Sequence, residues 1–138
     1  ERDAVISPDG RWVAYASNES GRLNTYVRPF PTGEGRWQSS QDTGSEPRWS
    51  PDMKALYFRR AAAIVRVPIE TRGGFRAGRP EIAVERTSAA GGIHTYSIAA
   101  DGRILTPRSP NPLDGARIVH LDLDFARRLA QRADGGPR

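Results

Sequence analysis

Short apolar runs alternate with clusters of turn-forming residues along most of the chain. The runs Trp12 to Ala16 and Ala55 to Phe58 are apolar at consecutive positions, so a strand made from either would have no face suited to water. Clusters of Gly, Pro, Asn and Ser separate these strand-sized runs. The pattern predicts a series of short β-strands, several of them packed between neighbouring layers.

The predicted strands fall into three groups. In the first group they are 3–6, 12–17, 25–30 and 36–40. In the second group they are 46–49, 54–59, 64–69 and 81–85. In the third group they are 94–98, 103–106 and 117–123, and the sequence shows no fourth strand there.

One turn recurs in each group. Its copies are Ser7-Pro8-Asp9-Gly10-Arg11, Ser50-Pro51-Asp52-Met53-Lys54 and Ala99-Ala100-Asp101-Gly102-Arg103, with Asp residues 43 and 49 positions apart. Proline fixes its own φ, the Asp carboxylate can cap the backbone two residues on, and the glycine tolerates positive φ. Met53 takes the place of that glycine, so we expect it at a strained backbone position.

A period of roughly 40–50 residues built from strand-sized pieces is typical of β-propeller blades. The expected fold is all-β, a propeller segment of about three four-stranded antiparallel blades over 1–41, 42–86 and 87–123, the last one incomplete. A propeller ring needs about four to eight blades, so three cannot close it. The chain is therefore expected to be the C-terminal part of a larger protein, whose missing blades would be its partners.

The pattern changes after Leu123. Asp124 is a suitable helix N-cap, Phe125 and Leu129 are four residues apart, and Gly135 follows the apolar positions. A short C-terminal helix is expected within the segment 124–138. Its arginine-rich face is better explained by solvent than by lipid or a partner.

Charge and composition exclude several classes of function. The net charge is +5 and the isoelectric point about 10.4, but the basic residues are mostly single arginines, with Lys54 the only lysine. Such dispersed charge makes nucleic acid an unlikely partner. The absence of cysteine excludes disulfides, thiolate zinc sites and cysteine nucleophiles. No apolar stretch approaches the roughly 18–20 residues of a membrane helix, so an anchor or export signal would lie upstream.

Residues suited to catalysis are sparse. The chain has no Gly-x-Ser-x-Gly nucleophile elbow, no phosphate-binding loop and no kinase motif. Of the two histidines, His120 alternates with apolar neighbours, as a packed strand residue does, and His94 lies where a loop meets a strand. Asp122 and Asp124 lack a third ligand at metal-binding spacing. The sequence predicts neither enzymatic activity nor a cofactor or metal.

Four motifs occur in a linked order. They are Ser7-Pro8-Asp9-Gly10-Arg11, Ser17-Asn18-Glu19-Ser20-Gly21-Arg22, Tyr26-Val27-Arg28-Pro29-Phe30 and Glu46-Pro47-Arg48-Trp49-Ser50-Pro51-Asp52. Together they resemble the TolB-like (WD-repeat-like) β-propeller family over roughly residues 4 to 106. The segment 123–129 also looks like the strand-to-helix terminus of bacterial members, which often have Asn and Trp where this chain has Asp124 and Phe125.

The resemblance implies propellers of six to eight blades that bind proteins or peptides and are not usually catalytic. Such domains occur in periplasmic TolB-type proteins, as sensor-like C-terminal regions of membrane-anchored bacterial serine/threonine kinases, and beside the hydrolase domain of prolyl oligopeptidases. The peptidase alternative is the weaker one, because a hydrolase domain normally follows its propeller, whereas a short helix is expected after the predicted blades here. A periplasmic or other extracytoplasmic location in a bacterium is implied.

Binding is the function expected of this segment. In propellers the loops around the innermost strands crowd the mouth of the central channel, and here those loops are 41–47, 86–94, 18–22 and 60–63. The polar residues on them that we take as candidates for partner binding are Asn18, Glu19, Arg22, Glu46, Arg48 and His94. A simpler alternative is that Glu46 and Arg48 only neutralise each other across neighbouring strands.

Overall fold

The computed structural model describes residues 1–85 and 96–106, which belong to one compact unit, Glu1–Thr106. These residues form eleven β-strands and no helix, so the all-β class is confirmed for this part of the chain. The expected strand at 117–123, the expected helix in 124–138, and both histidines lie outside the described residues. Across 1–85 and 96–106, no helix is long and apolar enough to cross a membrane.

The first sheet, sheet 1, is an antiparallel meander. Its strands, in spatial order, are β1 (Arg2–Ile6), β2 (Trp12–Ser17), β3 (Asn24–Pro29) and β4 (Trp37–Gln38). All four strands predicted for the first group are present, although β4 is shorter than the predicted 36–40. Each strand lies beside its sequence neighbour, as short hairpin connections require.

The second sheet, sheet 2, has one strand more than predicted. Its strands are β5 (Ser45–Trp49), β6 (Ala55–Arg60), β7 (Ala63–Glu70), β8 (Arg76–Ala77) and β9 (Glu81–Val84). β6 lies along one edge of β7, while β9 and β8 occupy successive parts of its other edge. The two-residue β8 was missed because so short a segment shows no alternation of apolar and polar positions.

The third sheet, sheet 3, is the hairpin of β10 (Ser97–Ile98) and β11 (Ile104–Leu105). The three sheets stack in sequence order. Sheets 1 and 2 enclose one apolar cluster formed by Trp12, Ala14, Val27, Trp49, Leu56 and Phe75. Sheets 2 and 3 enclose another, formed by Ala55, Tyr57, Ile64 and Tyr96. Sheet 2 is therefore buried on both faces, as its two-sided apolar runs predicted.

Aromatic rings hold sheet 2 against sheet 1. The ring of Phe75, which precedes β8, lies 5.7 Å from that of Trp12, 5.8 Å from that of Trp37 and 6.5 Å from that of Trp49, centroid to centroid. The indole Nε1 of Trp49 also donates a hydrogen bond to the Val5 carbonyl at 3.1 Å. Tilted and edge-on aromatic pairs at such distances each contribute about 0.5–1.5 kcal/mol beyond burial of their area. The aromatic residues thus fix the spacing of the first two sheets.

Candidate partner-binding site

The first strands of sheets 1 and 2 contain matching irregularities. The strand register shifts between Arg2 and Val5 in β1 and between Ser45 and Arg48 in β5. At equivalent positions of these bulges, Asp3 and Glu46 adopt the left-handed conformation, with φ of 57° and 52°. This conformation costs a residue with a Cβ atom about 1–2 kcal/mol, so the surrounding sheet must hold it in place.

Glu46 and Arg48, at the start of β5, are both engaged by neighbouring strands. Glu46 Oε1 lies 3.7 Å from Arg59 Nη1, and these two side chains are only 14% and 12% exposed. The Tyr96 hydroxyl donates to the Glu46 carbonyl at 2.7 Å, and the Arg48 guanidinium lies 5.9 Å from the Tyr96 ring centroid. Burial raises the pKa of Tyr96, which keeps the hydroxyl a neutral donor. Glu46 thus has an ion-pair partner on the neighbouring strand in Arg59, and the simpler alternative, a pairing of Glu46 with Arg48, stays a prediction.

The other predicted candidates lie on the β2–β3 turn. Asn18, Glu19 and Arg22 are exposed, and the Gly21 amide closes the turn by donating to the Asn18 carbonyl at 2.8 Å. Glu19 forms an ion pair with Arg36 from the β3–β4 connection. This contact fixes the direction of one predicted binding residue but leaves Asn18 and Arg22 open to solvent.

A polar network joins this turn to the β4–β5 connection. The Gly44 amide donates to the Leu23 carbonyl at 2.8 Å. The Ser40 hydroxyl donates to Asn24 Oδ1 and accepts from the Thr25 amide, each at 2.9 Å. A Cβ atom on Gly44 would lie 2.7 Å from Thr25 Oγ1, so only glycine allows this approach. Two of the loops predicted to lie together are thus held side by side.

We use the term loop end for the turns and connection at 18–23, 39–44 and 61–62. Because the strands are antiparallel, these segments lie at the end of the sheets opposite the repeated Asp turns. The loop end includes Asn18, Glu19 and Arg22 in one turn. Glu46 and Arg48 lie in β5, which begins directly after the connection at 39–44. His94 lies outside the described residues, so its predicted role stays a prediction.

The opposite end carries the repeated turns, whose geometry the sequence predicted well. Ser7 Oγ donates to Asp9 Oδ1 at 2.5 Å and accepts from the Trp12 amide at 3.0 Å. The residue after each Asp has positive φ, 70° at Gly10, 58° at Met53 and 82° at Gly102. The strained conformation expected of Met53 is therefore confirmed.

Between the second and third turns lies a groove of about 210 Å³ that the sequence did not reveal. Its lining includes Asp52 and Asp101 as well as Tyr57 and Arg66. Hydrogen bonds from the Ser50 hydroxyl and the Lys54 amide lower the pKa of Asp52, and the Arg103 amide and side chain lower that of Asp101. Since both carboxylates serve their own turns, the loop end is the better candidate for partner binding.

No group of three or more His, Asp or Glu side chains that could bind a metal occurs in the part of the chain that the structure describes. Comparison with models of known protein families gives no match to this chain, and no curated protein matches it either. A proposal for function therefore depends on the residues and on their geometry.

Proposed function

We propose that this chain is a non-catalytic binding module, built from consecutive blades of a TolB-like β-propeller, that binds a protein or peptide at its loop end. The observation that carries the proposal is the network that locks the β2–β3 turn to the β4–β5 connection. It presents Asn18 and Arg22 to solvent on a rigid support, beside the charged start of β5. Rigid loops lose less conformational entropy on binding than mobile ones.

The blade arrangement is supported by three features. Sheet 1 is a four-stranded meander, as a propeller blade is, and sheet 2 repeats the same strand order with β8 and β9 sharing its outer edge. The first strand of each sheet contacts the first strand of the next, β1 with β5 and β5 with β10. The repeated Asp turn joins the first two strands of every sheet. Further blades outside this segment would complete the ring.

The proposal extends to the surroundings of the module. Prevalent arginine and the absence of cysteine are compatible with many compartments, but the resemblance to TolB-like propellers favours an extracytoplasmic location in a bacterium. There the module would meet other envelope proteins or peptides. Its partners are then proteins rather than nucleic acids, because its arginines are dispersed and three of them, Arg36, Arg59 and Arg66, are paired with carboxylates.

Peptide selection followed by NMR mapping tests the proposal. Peptides selected from a random library on the immobilised chain would be titrated into the labelled protein, and amide shifts are expected at 18–23 and 39–46. Arg22→Glu should weaken binding about tenfold, since it reverses an exposed charge at the proposed interface. Arg11→Glu, the same change at the opposite end, should leave binding within about twofold. Shifts confined to the repeated turns, or equal effects of the two variants, would refute the proposal.

A further inference from the structure

Two arginines at the loop end have no partner among the described residues. Arg22 lies in the β2–β3 turn of sheet 1, and Arg60 ends β6, directly before the corresponding β6–β7 turn of sheet 2. Neither side chain forms an ion pair or a hydrogen bond with any residue of 1–85 or 96–106. Corresponding turns of two stacked sheets thus each present an unpaired cation.

Other arginines near this end are paired. Arg36 forms an ion pair with Glu19, and Arg59 forms one with Glu46. Alternation along β6 places Arg59 on the face towards sheet 3 and Arg60 on the face towards sheet 1. Carboxylates are therefore present at this end of the sheets, yet none of those in the described residues pairs with Arg60.

The surroundings of Arg60 differ from those of Arg22. Arg60 is half-buried, whereas Arg22 is exposed. A half-buried guanidinium loses part of its hydration, and without an ion pair nothing offsets that cost. Its stem is also partly immobilised by the sheet, so pairing with a carboxylate costs less side-chain entropy than at a fully exposed arginine. Arg60 is therefore better suited to a bound carboxylate than to water alone.

We propose that the partner bound at the loop end presents carboxylates to Arg60 and Arg22, as an acidic segment of a protein or peptide does. This inference rests on the proposed function and adds the chemistry of the partner. Arginine pairs with a carboxylate through two parallel hydrogen bonds, which favours such a segment over a neutral one. Since alternate residues of an extended chain lie on one side, a single strand of the partner can reach both turns.

Other anionic occupants fit the loop end less well. Glu19 and Asp42 are exposed among the same turns, so the patch is mixed in sign rather than uniformly positive. Nucleic acids need several cations along a continuous phosphate backbone. A second copy of this chain is also disfavoured, because a net charge of +5 makes two copies repel each other. An acidic segment can place each carboxylate individually and so avoid the two acidic side chains.

Two pools of random peptides test the chemistry of the partner. Both pools contain Leu, Gly and Ser, and one contains Glu where the other contains Gln. Binders to the immobilised chain are selected from each pool at physiological salt, and fluorescence anisotropy of the labelled binders gives their affinities. We expect binders from the Glu pool to be about tenfold tighter or more, and replacing their Glu by Gln should remove that advantage.

Matched variants assign the carboxylates to the two arginines. Arg60→Gln and Arg22→Gln should each weaken binding of a Glu-pool peptide about tenfold, and Arg60→Lys, which keeps the charge, should weaken it less. Arg72→Gln removes an exposed charge at the opposite end of the sheets and should stay within about twofold. Asp42→Asn should strengthen binding about twofold, because it removes a repulsion.

Unfolding in urea separates a binding role of Arg60 from a structural one. Arg60→Gln should leave the urea midpoint unchanged or raise it, since no ion pair is lost. Arg59→Gln breaks the largely buried pair with Glu46 and should lower the midpoint. Equal losses for the two variants would assign Arg60 to the stability of the fold and would overturn the inference.

The outcomes also separate this inference from the proposed function. Neutral peptides that bind as tightly as acidic ones and shift amides at 18–23 and 39–46 would overturn the inference and leave the proposed function standing. Binding of Glu-pool peptides that is insensitive to Arg60→Gln and Arg22→Gln would overturn the inference as well, and so would equally tight binding of single-stranded DNA. Absence of any binder at the loop end would overturn both.

Discussion

The second and third copies of the repeated turn share their Asp and their positive-φ residue, yet they close differently. In the second copy the Ser50 amide donates to the Ala55 carbonyl at 2.8 Å, and in the third the Ala99 amide donates to the Arg103 carbonyl at 2.8 Å. The third hairpin loop is therefore one residue shorter. Strand pairing follows this difference, with Trp49 opposite Leu56 but Ile98 opposite Ile104.

The two turns also differ in the side chain that opens them. The Ser50 hydroxyl accepts from the Ala55 amide at 2.8 Å and the Lys54 amide at 3.1 Å, and it donates to Asp52 at 2.7 Å. Ala99 offers no such group, and the side-chain bonds of its turn run from the Arg103 amide and guanidinium to the Asp101 carboxylate. A three-residue loop with glycine at positive φ is the usual solution without it. The Ser50 hydroxyl thus stabilises the longer loop, and the register of each hairpin decides which face its side chains occupy.

Removing that hydroxyl is the strongest test of the comparison. Ser50→Ala, at a position that is 5% exposed, removes the partner of the buried Ala55 amide and the hydroxyl's less buried bonds to the Lys54 amide and to Asp52. We expect a loss of about 2 kcal/mol in the free energy of unfolding, measured with urea. Ser97→Ala, at an exposed strand position, is the matched control and should cost under about 0.5 kcal/mol. Similar losses for both variants would mean that the hydroxyl does not organise the turn.

Substitutions of Met53 should change the free energy of unfolding less, and by different amounts for Ala and Gly. Its φ of 58° is strained, yet its half-buried side chain packs against the cluster between sheets 1 and 2. Met53→Ala keeps the strain and loses the packing, which should cost about 1 kcal/mol. Met53→Gly loses the packing but relieves strain of about 1 kcal/mol, so it should match the parent chain in urea unfolding. Equal stability of the Ala and Gly variants would show that φ does not matter here.

The strands and turns were predictable because their causes are local. Alternation, two-sided apolar runs and the Ser-Pro-Asp turn lie within a few neighbouring residues, so the sequence located most strands and the strain at Met53. The position of Phe75 between Trp12 and Trp49 depends on contacts between sheets, and no local sequence pattern predicts it. The shorter third loop was also hidden, because Ala99 looked equivalent to serine in the aligned repeat.

The candidate site was predictable only in part. Its loops were found from strand order, since the connection at 41–47 must return beside the turn at 18–22 in a meander. The ion pairs of Glu19 and Glu46 were not found, because Arg36 and Arg59 lie on other strands or connections. The residues around Glu46 also give no indication of the bulge that places Glu46 at positive φ. Contacts between distant residues set these features, and a single sequence does not encode them visibly.

Acid titration should produce an effect that is smaller still. The pKa of Asp52 is lowered chiefly by the Ser50 hydroxyl, so its ionised form is favoured in the folded chain. Its contribution to stability is present above the unfolded pKa of about 3.9 and is lost as pH falls towards the lower folded pKa. Asp52→Asn should therefore flatten the fall in urea midpoint below about pH 4. A full acid-dependent fall in that variant would assign the effect to other carboxylates.

Introducing serine into the third turn should have the smallest effect. It tests whether the serine hydroxyl or the loop length determines the strand register. In the short loop the Ala99 amide already bonds to the Arg103 carbonyl, and Ile104 already pairs with Ile98. A hydroxyl added by Ala99→Ser would find the Ile104 amide one residue out of place, so we expect a change under about 0.5 kcal/mol and an unchanged register. Cross-strand NOEs between Ile98 and Ile104 would verify this. If Ile98 moved opposite Leu105 and stability rose by about 1 kcal/mol, the hydroxyl alone would determine the register, and loop length would be its consequence.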